Sequence, residues 1–255
     1  MKLAALLTVV GAAIVAAAAA IYVTPSLSVP FFDDGDGPKI IAAGLGAGWA
    51  LVGAVQAWRL GHSTTAKCGL ALLLFLSVMV AGAIPAHALW FARSLPPPSA
   101  LKAGDEAPAF SLPDQDGKNV FLTDFKGKRL IVAFHRGAMC PWCVKQLKLV
   151  QGKLADIRSA GGEVVFISAD SVETNKQAAT QHSIEFPLLA DSQFAAIKAF
   201  GLLHVTELPG INMTLARPAL FFINTDGTIA AAFQPDDFRR IFSADDVMAS
   251  FNQAK

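Results

Sequence analysis

The sequence predicts a two-part chain, with about three membrane-spanning helices followed by one α/β domain of strands and helices in layers. Three observations predict it. Charge is unevenly spread: residues 1–98 hold five Lys or Arg and three acidic residues, whereas 99–255 hold 16 basic and 17 acidic ones. The first part contains three long apolar runs, and the second alternates short β-branched runs with helical periodicity. With 255 residues, 53% hydrophobic and 16% charged, the chain as a whole is too apolar for an ordinary soluble protein.

Leu3 to Val23 is uncharged, Ile40 to Trp58 has Gln56 as its one strongly polar residue, and Cys68 to Phe91 has His87. A helix needs about 20 apolar residues to cross a bilayer, so 3–23, 40–58 and 68–91 each read as a membrane helix. Lys2 and the alanines Ala16 to Ala20 give the first run the look of a signal peptide, but its apolar length reads as a retained helix. Gly44 and Gly48 stand at a spacing that lets another helix approach, or reflect ordinary glycine content. Pro85 and His87 mark a kink near the interface rather than a proton path, with no second ionisable group to relay to.

Loop charge sets the orientation, because Lys and Arg are retained on the cytoplasmic side. Residues 24–38 carry Asp33, Asp34 and Asp36 and no basic residue, whereas 59–67 carry Arg59, His62 and Lys67. The second loop is therefore inside, and the third helix places everything after it on the outer face, the periplasm of a bacterium with two membranes. Arg93 opposes this and is outvoted. Without a basic excess, nucleic acid is not an expected partner.

The stretch 93–103 is a linker stiffened by Pro96 to Pro98, and 104–255 is a single domain. Arg129 to Phe134 is a short apolar run suited to a strand buried on both faces. Leu147, Val150, Leu154 and Ile157 recur at three and four residues, which predicts one helix over 141–158. Glu163 to Asp170 is the next strand, followed by a helix capped at Ser171. "FPLLAD" and "SQFAAIKAFG" give a strand and a helix, "ALFFINTDGTIAAAF" a β-hairpin, and "SADDVMASF" a capped closing helix. "DDFRR", Asp236 to Arg240, reads as a solvated charged turn.

Sites in such layers form where strands end and helices begin, and there the chain has "AFHRGAMCPWCVKQLKLV". Cys140 falls at or just before a helix N-terminus, where free amide N–H groups and the helix dipole favour a thiolate. Pro141 suits the first helical turn. Arg136 is a nearby cation, His135 is either a packed or a catalytic histidine, and Trp142 shapes the surface between the cysteines. The pair can be redox-active, metal-binding or a structural bridge. Metal binding lacks a second ligand pair, since Cys68 is in the third membrane helix and His135, His182 and His204 have no ligand spacing. A structural bridge would close a very short loop and stabilise little. Redox chemistry fits best, and no cofactor or metal is expected.

Over essentially all of 100–255 the residues resemble the AhpC/TSA (peroxiredoxin-like) redoxin family of the thioredoxin fold. The resemblance is carried by "AGDEAPAFSLPDQDGKNVFLTDFKGKRLIVAFHRGAMCPWCVKQL", "ADSQFAAIKAFGL" and "RPALFFINTDGTIAAAFQPDDFRR". It implies a thioredoxin-like sheet and a cis-proline at Pro218 facing the cysteines. Classical members have Pro, then Thr or Ser, then the peroxide-attacking Cys, at the spacing held here by Arg136, Cys140 and Cys143. On that reading Cys143 attacks; as a thioredoxin-like Cys-x-x-Cys, Cys140 does. The peroxide-holding Arg of the family falls at Pro218, with Arg217 one residue early and so on the other strand face.

The expected activity is a membrane-anchored thiol peroxidase, taking peroxide as substrate and an external thiol or thioredoxin-like protein as electron donor. The alternatives are a periplasmic thiol–disulfide oxidoreductase acting on protein disulfides, and a non-catalytic redox-sensing or metal-binding module. Transmembrane electron transfer by disulfide exchange needs a cysteine pair in the membrane, and Cys68 is alone there.

Overall fold

The computed structural model describes residues 2–23, 37–59, 63–208 and 211–254. The chain divides into two compact units, 1–93 and 94–255.

In the first unit, helices α1 (Lys2–Val23), α2 (Gly37–Arg59) and α3 (Thr64–Leu89) form on the three apolar runs, and a 3-10 turn, Phe91–Arg93, follows. The stretches Lys39–Gln56 and Thr64–Arg93 are long and apolar enough to cross a membrane by length and composition, whereas α1 offers a shorter apolar stretch, Leu6–Ala20. Small residues let α1 and α2 touch, but not the pair that the spacing singled out. A Cβ on Gly46 would lie 2.9 Å from the Gly11 carbonyl oxygen, while Gly44 and Gly48 face open space. The contact stripe runs two residues out of phase with them, because the residue on the facing side of a helix is set by its rotation about the axis. Asp33, Asp34, Asp36 and His62, on which the orientation argument leans, lie outside the described residues.

The second unit is built on a five-stranded sheet of β3 (Arg129–Phe134), β4 (Gly162–Ser168), β5 (Leu188–Ala190), β8 (Ala219–Ile223) and β9 (Ile229–Phe233), in the order β5-β4-β3-β8-β9. Strand β3 pairs parallel with β4 and antiparallel with β8, so that Ala133 faces Phe166 on one side and Leu220 on the other. Successive side chains alternate between faces. Leu130, Val132, Phe134, Val165, Ile167 and Phe221 therefore enter one core, and Ile131, Ala133, Val164, Phe166 and Phe222 the other. Both faces are dry, which is why β3 and β4 read as unbroken apolar runs.

Helices α4 (Pro141–Gln151), α5 (Leu154–Ser159) and α8 (Ala244–Gln253) supply Leu147, Val150, Ile157 and Phe251 to the second core. The single helix expected over 141–158 is two. At Gly152, a poor helix former, the ladder lapses, and Lys153 N–H bonds the Val150 carbonyl three residues back at 3.0 Å. Helix α6 (Val172–His182) begins at Ser171, whose hydroxyl accepts from Thr174 N–H at 3.2 Å, and α8 begins at Ser243, which accepts from Asp246 N–H at 3.1 Å. The short helix α7 (Ala195–Ala199) packs Ile197 into the first core.

Two antiparallel pairs flank the sheet, β1 (Ser111–Pro113) with β2 (Asn119–Phe121), and β6 (Leu203–Leu208) with β7 (Ile211–Ala216). The β6–β7 hairpin is absent from the sequence reading, although Pro209-Gly210 between two alternating segments is a turn signal. Residues following the proline run are tied to the domain: Ser99 N–H donates to Gln234 Oε1 at 2.6 Å, and Gln234 Nε2 returns a bond to the Ser99 carbonyl at 3.2 Å.

Candidate active site

Strand β3 ends at Phe134, and the next six residues turn the chain into α4. Gly137 has φ +116°, and a Cβ there would lie 2.6 Å from Asp170 Oδ1, so only glycine fits. Asp170, just past β4, accepts the Ala138 N–H at 2.7 Å. Cys140 N–H closes the turn on the Gly137 carbonyl at 3.1 Å. Cys140 is thereby the N-cap of α4 and Pro141 its first helical residue, as the sequence predicts.

Both thiols are free and nearly buried, Cys140 at 8% exposure and Cys143 at 5%. They differ in acidity. Cys140 is pulled down to about 7, first by the hydrogen bond from the Cys143 thiol and then, against its burial, by the N–H groups of Cys143 and Trp142 and the charge of Arg136. Cys143 is pushed well above the ordinary thiol value, because it donates to Cys140, is buried and faces that anion. The arrangement favours ionisation at Cys140 over Cys143.

Arg136 is buried, and its guanidinium carbon lies 4.2 Å over the ring of Phe238. Burial weakens its basicity while the two cysteines restore it. Its NH1 is 3.3 Å from His204 Nδ1. Guanidinium is donor only, so Nδ1 accepts and the His204 proton sits on Nε2, 3.2 Å from Thr206 Oγ1. Burial, then the charge of Arg136, holds His204 at about 4, so it is neutral. His135 is also neutral, lowered to about 4 by burial. Its Nδ1 accepts from Gly137 N–H at 3.2 Å, and its Nε2 has no protein partner. A cavity of about 30 Å³ is lined by His135, Cys143, Trp142, Gln146 and Pro218. The larger cavity, about 360 Å³, opens at the other end of β3 beside Leu130 and Ile223, away from the cysteines.

The AhpC/TSA family profile matches residues 103–232. Peroxiredoxin Bcp of Escherichia coli (strain K12) is 38% identical over 139 residues, 54% of this chain and 88% of its own length. The chain belongs to the AhpC/TSA family. It is an enzyme, an oxidoreductase of thiol chemistry. The chloroplastic peroxiredoxin Q of Gentiana triflora is 32% identical over 157 residues, covering 56% of this chain and 70% of that one. The crystal structure of peroxidoxin BcpB from Mycobacterium tuberculosis superposes with a TM-score of 0.52 at 25% identity, covering 60% of this chain and 96% of that chain. The sheet and its helices are the thioredoxin-like fold that the resemblance implies.

Within this AhpC/TSA domain, the structure gathers Arg136, Cys140, Cys143, Trp142 and His135 at one strand end. Arg217 is turned to other partners: its guanidinium bonds the carbonyls of Pro96 and Pro235, and its charge reaches the site through His204. Pro218 lines the cavity with Cys143, but its peptide is trans, not cis. Only Arg217 and Pro218 separate β7 from β8, and Arg217 N–H bonds the Leu202 carbonyl at 2.7 Å, one pair beyond the β6–β7 ladder. Trp142 is half-buried, its ring 6.0 Å from that of Phe238. The charged run read as a solvated turn is so at its ends, where Asp236 and Arg240 are exposed, but Phe238 and Arg239 are buried, Phe238 in the cavity lining and Arg239 paired to Asp237. A lone aromatic among four charged residues was its one signal. Asp170 and His204 carried none that spacing could register. Among the described residues no three His, Cys, Asp or Glu side chains gather as a metal site.

Proposed function

We propose that this AhpC/TSA enzyme is a membrane-anchored thiol peroxidase whose working couple is Cys140 and Cys143, with Cys140 attacking. The observation that carries it is the place of Cys140, the N-cap of α4 with the Cys143 thiol and the Arg136 charge beside it. The Cys140 thiolate attacks the peroxide; a sulfur–oxygen bond forms, the O–O bond breaks, and the departing oxygen takes up a proton as water or alcohol. Cys143 then attacks the resulting sulfenic acid: the disulfide forms, the S–O bond breaks, and hydroxide leaves with the Cys143 proton as water. An external thiol or thioredoxin-like protein supplies the two electrons that regenerate the pair. Arg136 faces the negative charge that develops on the leaving oxygen.

Anchoring rests on α1, α2 and α3, and the outer-face location on the loop charges, Arg59 and Lys67 against Asp33, Asp34 and Asp36. A cysteine-reactive, membrane-impermeant label applied to intact cells tests the location: Cys140 labels from outside on this reading, and only after lysis if the topology is reversed.

One observation favours a second reading, a thiol–disulfide oxidoreductase. Cys140 stands where the family has Thr, and Pro218 where it has the peroxide-holding Arg. Purified full chain is offered peroxide with dithiothreitol, and insulin with dithiothreitol. Rapid turnover of peroxide supports the peroxidase; turnover of insulin alone replaces it with the second reading.

A further inference from the structure

We infer that His204 is a positioning residue for Cys140: through the β6–β7 hairpin it fixes the Arg136 guanidinium beside the cysteine pair without neutralising it. The inference rests on the reading of Cys140 as the attacking thiolate.

Arg136 stands on the loop between β3 and α4, where a long side chain has many rotamers and its field at the sulfur depends on which one is held. Two contacts hold it, the ring of Phe238 beneath the guanidinium and Nδ1 of His204 at 3.3 Å. The choice of an imidazole is chemically informative. A carboxylate in that place would bind the guanidinium more tightly and would cancel the positive charge that Cys140 feels. Neutral imidazole accepts a hydrogen bond and leaves the charge in place.

The ring must then be neutral and must present the right nitrogen, and its surroundings impose both. Thr206 Oγ1 lies 3.2 Å from Nε2, and the Ser94 carbonyl is the other group drawing that proton. The cations facing the ring are Arg136 and Arg217, which together with burial oppose a second proton. Leu203 pairs with Ala216 and His204 with Leu215, so the hairpin's own register sets where the ring stands. His204 and Arg136 are 68 residues apart and meet only in the folded domain.

The test uses the purified full chain and follows alkylation of Cys140 by iodoacetamide, resolved by peptide mass spectrometry, across the pH range of a thiol. A wild-type midpoint near an ordinary thiol's would remove the thiolate reading itself, and this inference with it. With an acidic wild-type midpoint, His204→Leu is expected to slow Cys140 alkylation at pH 7 about two- to fivefold, as a rise of about half to one pH unit from a midpoint near 7 requires. His204→Asn, whose side-chain oxygen can stand where Nδ1 stood, keeps the midpoint near wild type. Thr206→Val, which frees the ring while preserving the fold, shifts the midpoint in the same direction by less. In an Arg136→Met background His204→Leu adds nothing. Unchanged midpoints in both His204→Leu and Thr206→Val, or an equal His204→Leu shift without Arg136, would overturn the inference.

Discussion

Asp170 Oδ2 accepts the backbone N–H of Ala138 at 2.7 Å, reaching from the end of β4 to the loop that presents Cys140. The same carboxylate occupies the space in which a side chain at position 137 would lie. Gly137→Ala therefore combines a clash with a backbone angle that L-residues avoid, and the expected cost is about 2–3 kcal/mol of stability. Urea unfolding measures it. Asp170→Ala should cost less, about 1–2 kcal/mol, because it removes the bond and leaves no clash. Wild-type stability in Gly137→Ala would mean the loop is not held as described.

Arg136 is the cation nearest the pair, and it acts on both sulfurs. Arg136→Met should raise the Cys140 midpoint and slow peroxide consumption at pH 7 by about fivefold or more, since a rise of about one pH unit from a midpoint near 7 leaves about a fifth of the thiolate. Stopped-flow peroxide decay gives the rate. Phe238→Ala, which removes the surface under the guanidinium, should act in the same direction with a smaller effect.

His135 is neutral when folded and ordinary when unfolded, at about 4 against 6.5. Between these values the unfolded chain binds the extra proton, so stability is fully present above pH 6.5 and is lost as pH falls toward 4. The expected loss is on the order of 2–3 kcal/mol. Urea unfolding at a series of pH values should show it, and His135→Gln should flatten the dependence. His204, also held at about 4 by burial and Arg136, adds to the wild-type slope with the same sign.

What the sequence discloses follows from the range of the interactions. Cys140, Pro141 and Cys143 lie within one helical turn, so their relation to the helix N-terminus is written locally. The caps Ser171 and Ser243 are equally local, and β3 and β4 announce themselves because a strand buried on both faces must be apolar throughout. His204, Asp170 and Phe238 are different. Ala138 meets Asp170 across 32 residues and Arg136 meets His204 across 68, and no periodicity in one element encodes a contact made with another. Pro218 shows the opposite case, a proline that the resemblance marks as cis and whose peptide is trans. The break at Gly152 was legible as a glycine, yet the apolar spacing of Leu147 through Ile157 runs across it and hides it.

The core also carries a test of the layer arrangement. A Cβ on Gly162 would lie 2.1 Å from Phe251 Cζ, so α8 packs its phenylalanine on bare backbone at the start of β4. Gly162→Ala should destabilise by about 1–3 kcal/mol through overpacking. In that background Phe251→Leu should recover part of the loss, measured as the urea midpoint.

The central claim is that Cys140 attacks peroxide and Cys143 resolves. Its most direct measurement is mass spectrometry of the Cys143→Ser and Cys140→Ser variants after limiting peroxide with a sulfenic-acid trap. The trap should be found on Cys140 in Cys143→Ser, with Cys143 essentially unlabelled in Cys140→Ser. Faster trapping on Cys143 than on Cys140 would contradict the account and restore the family's usual order of attack.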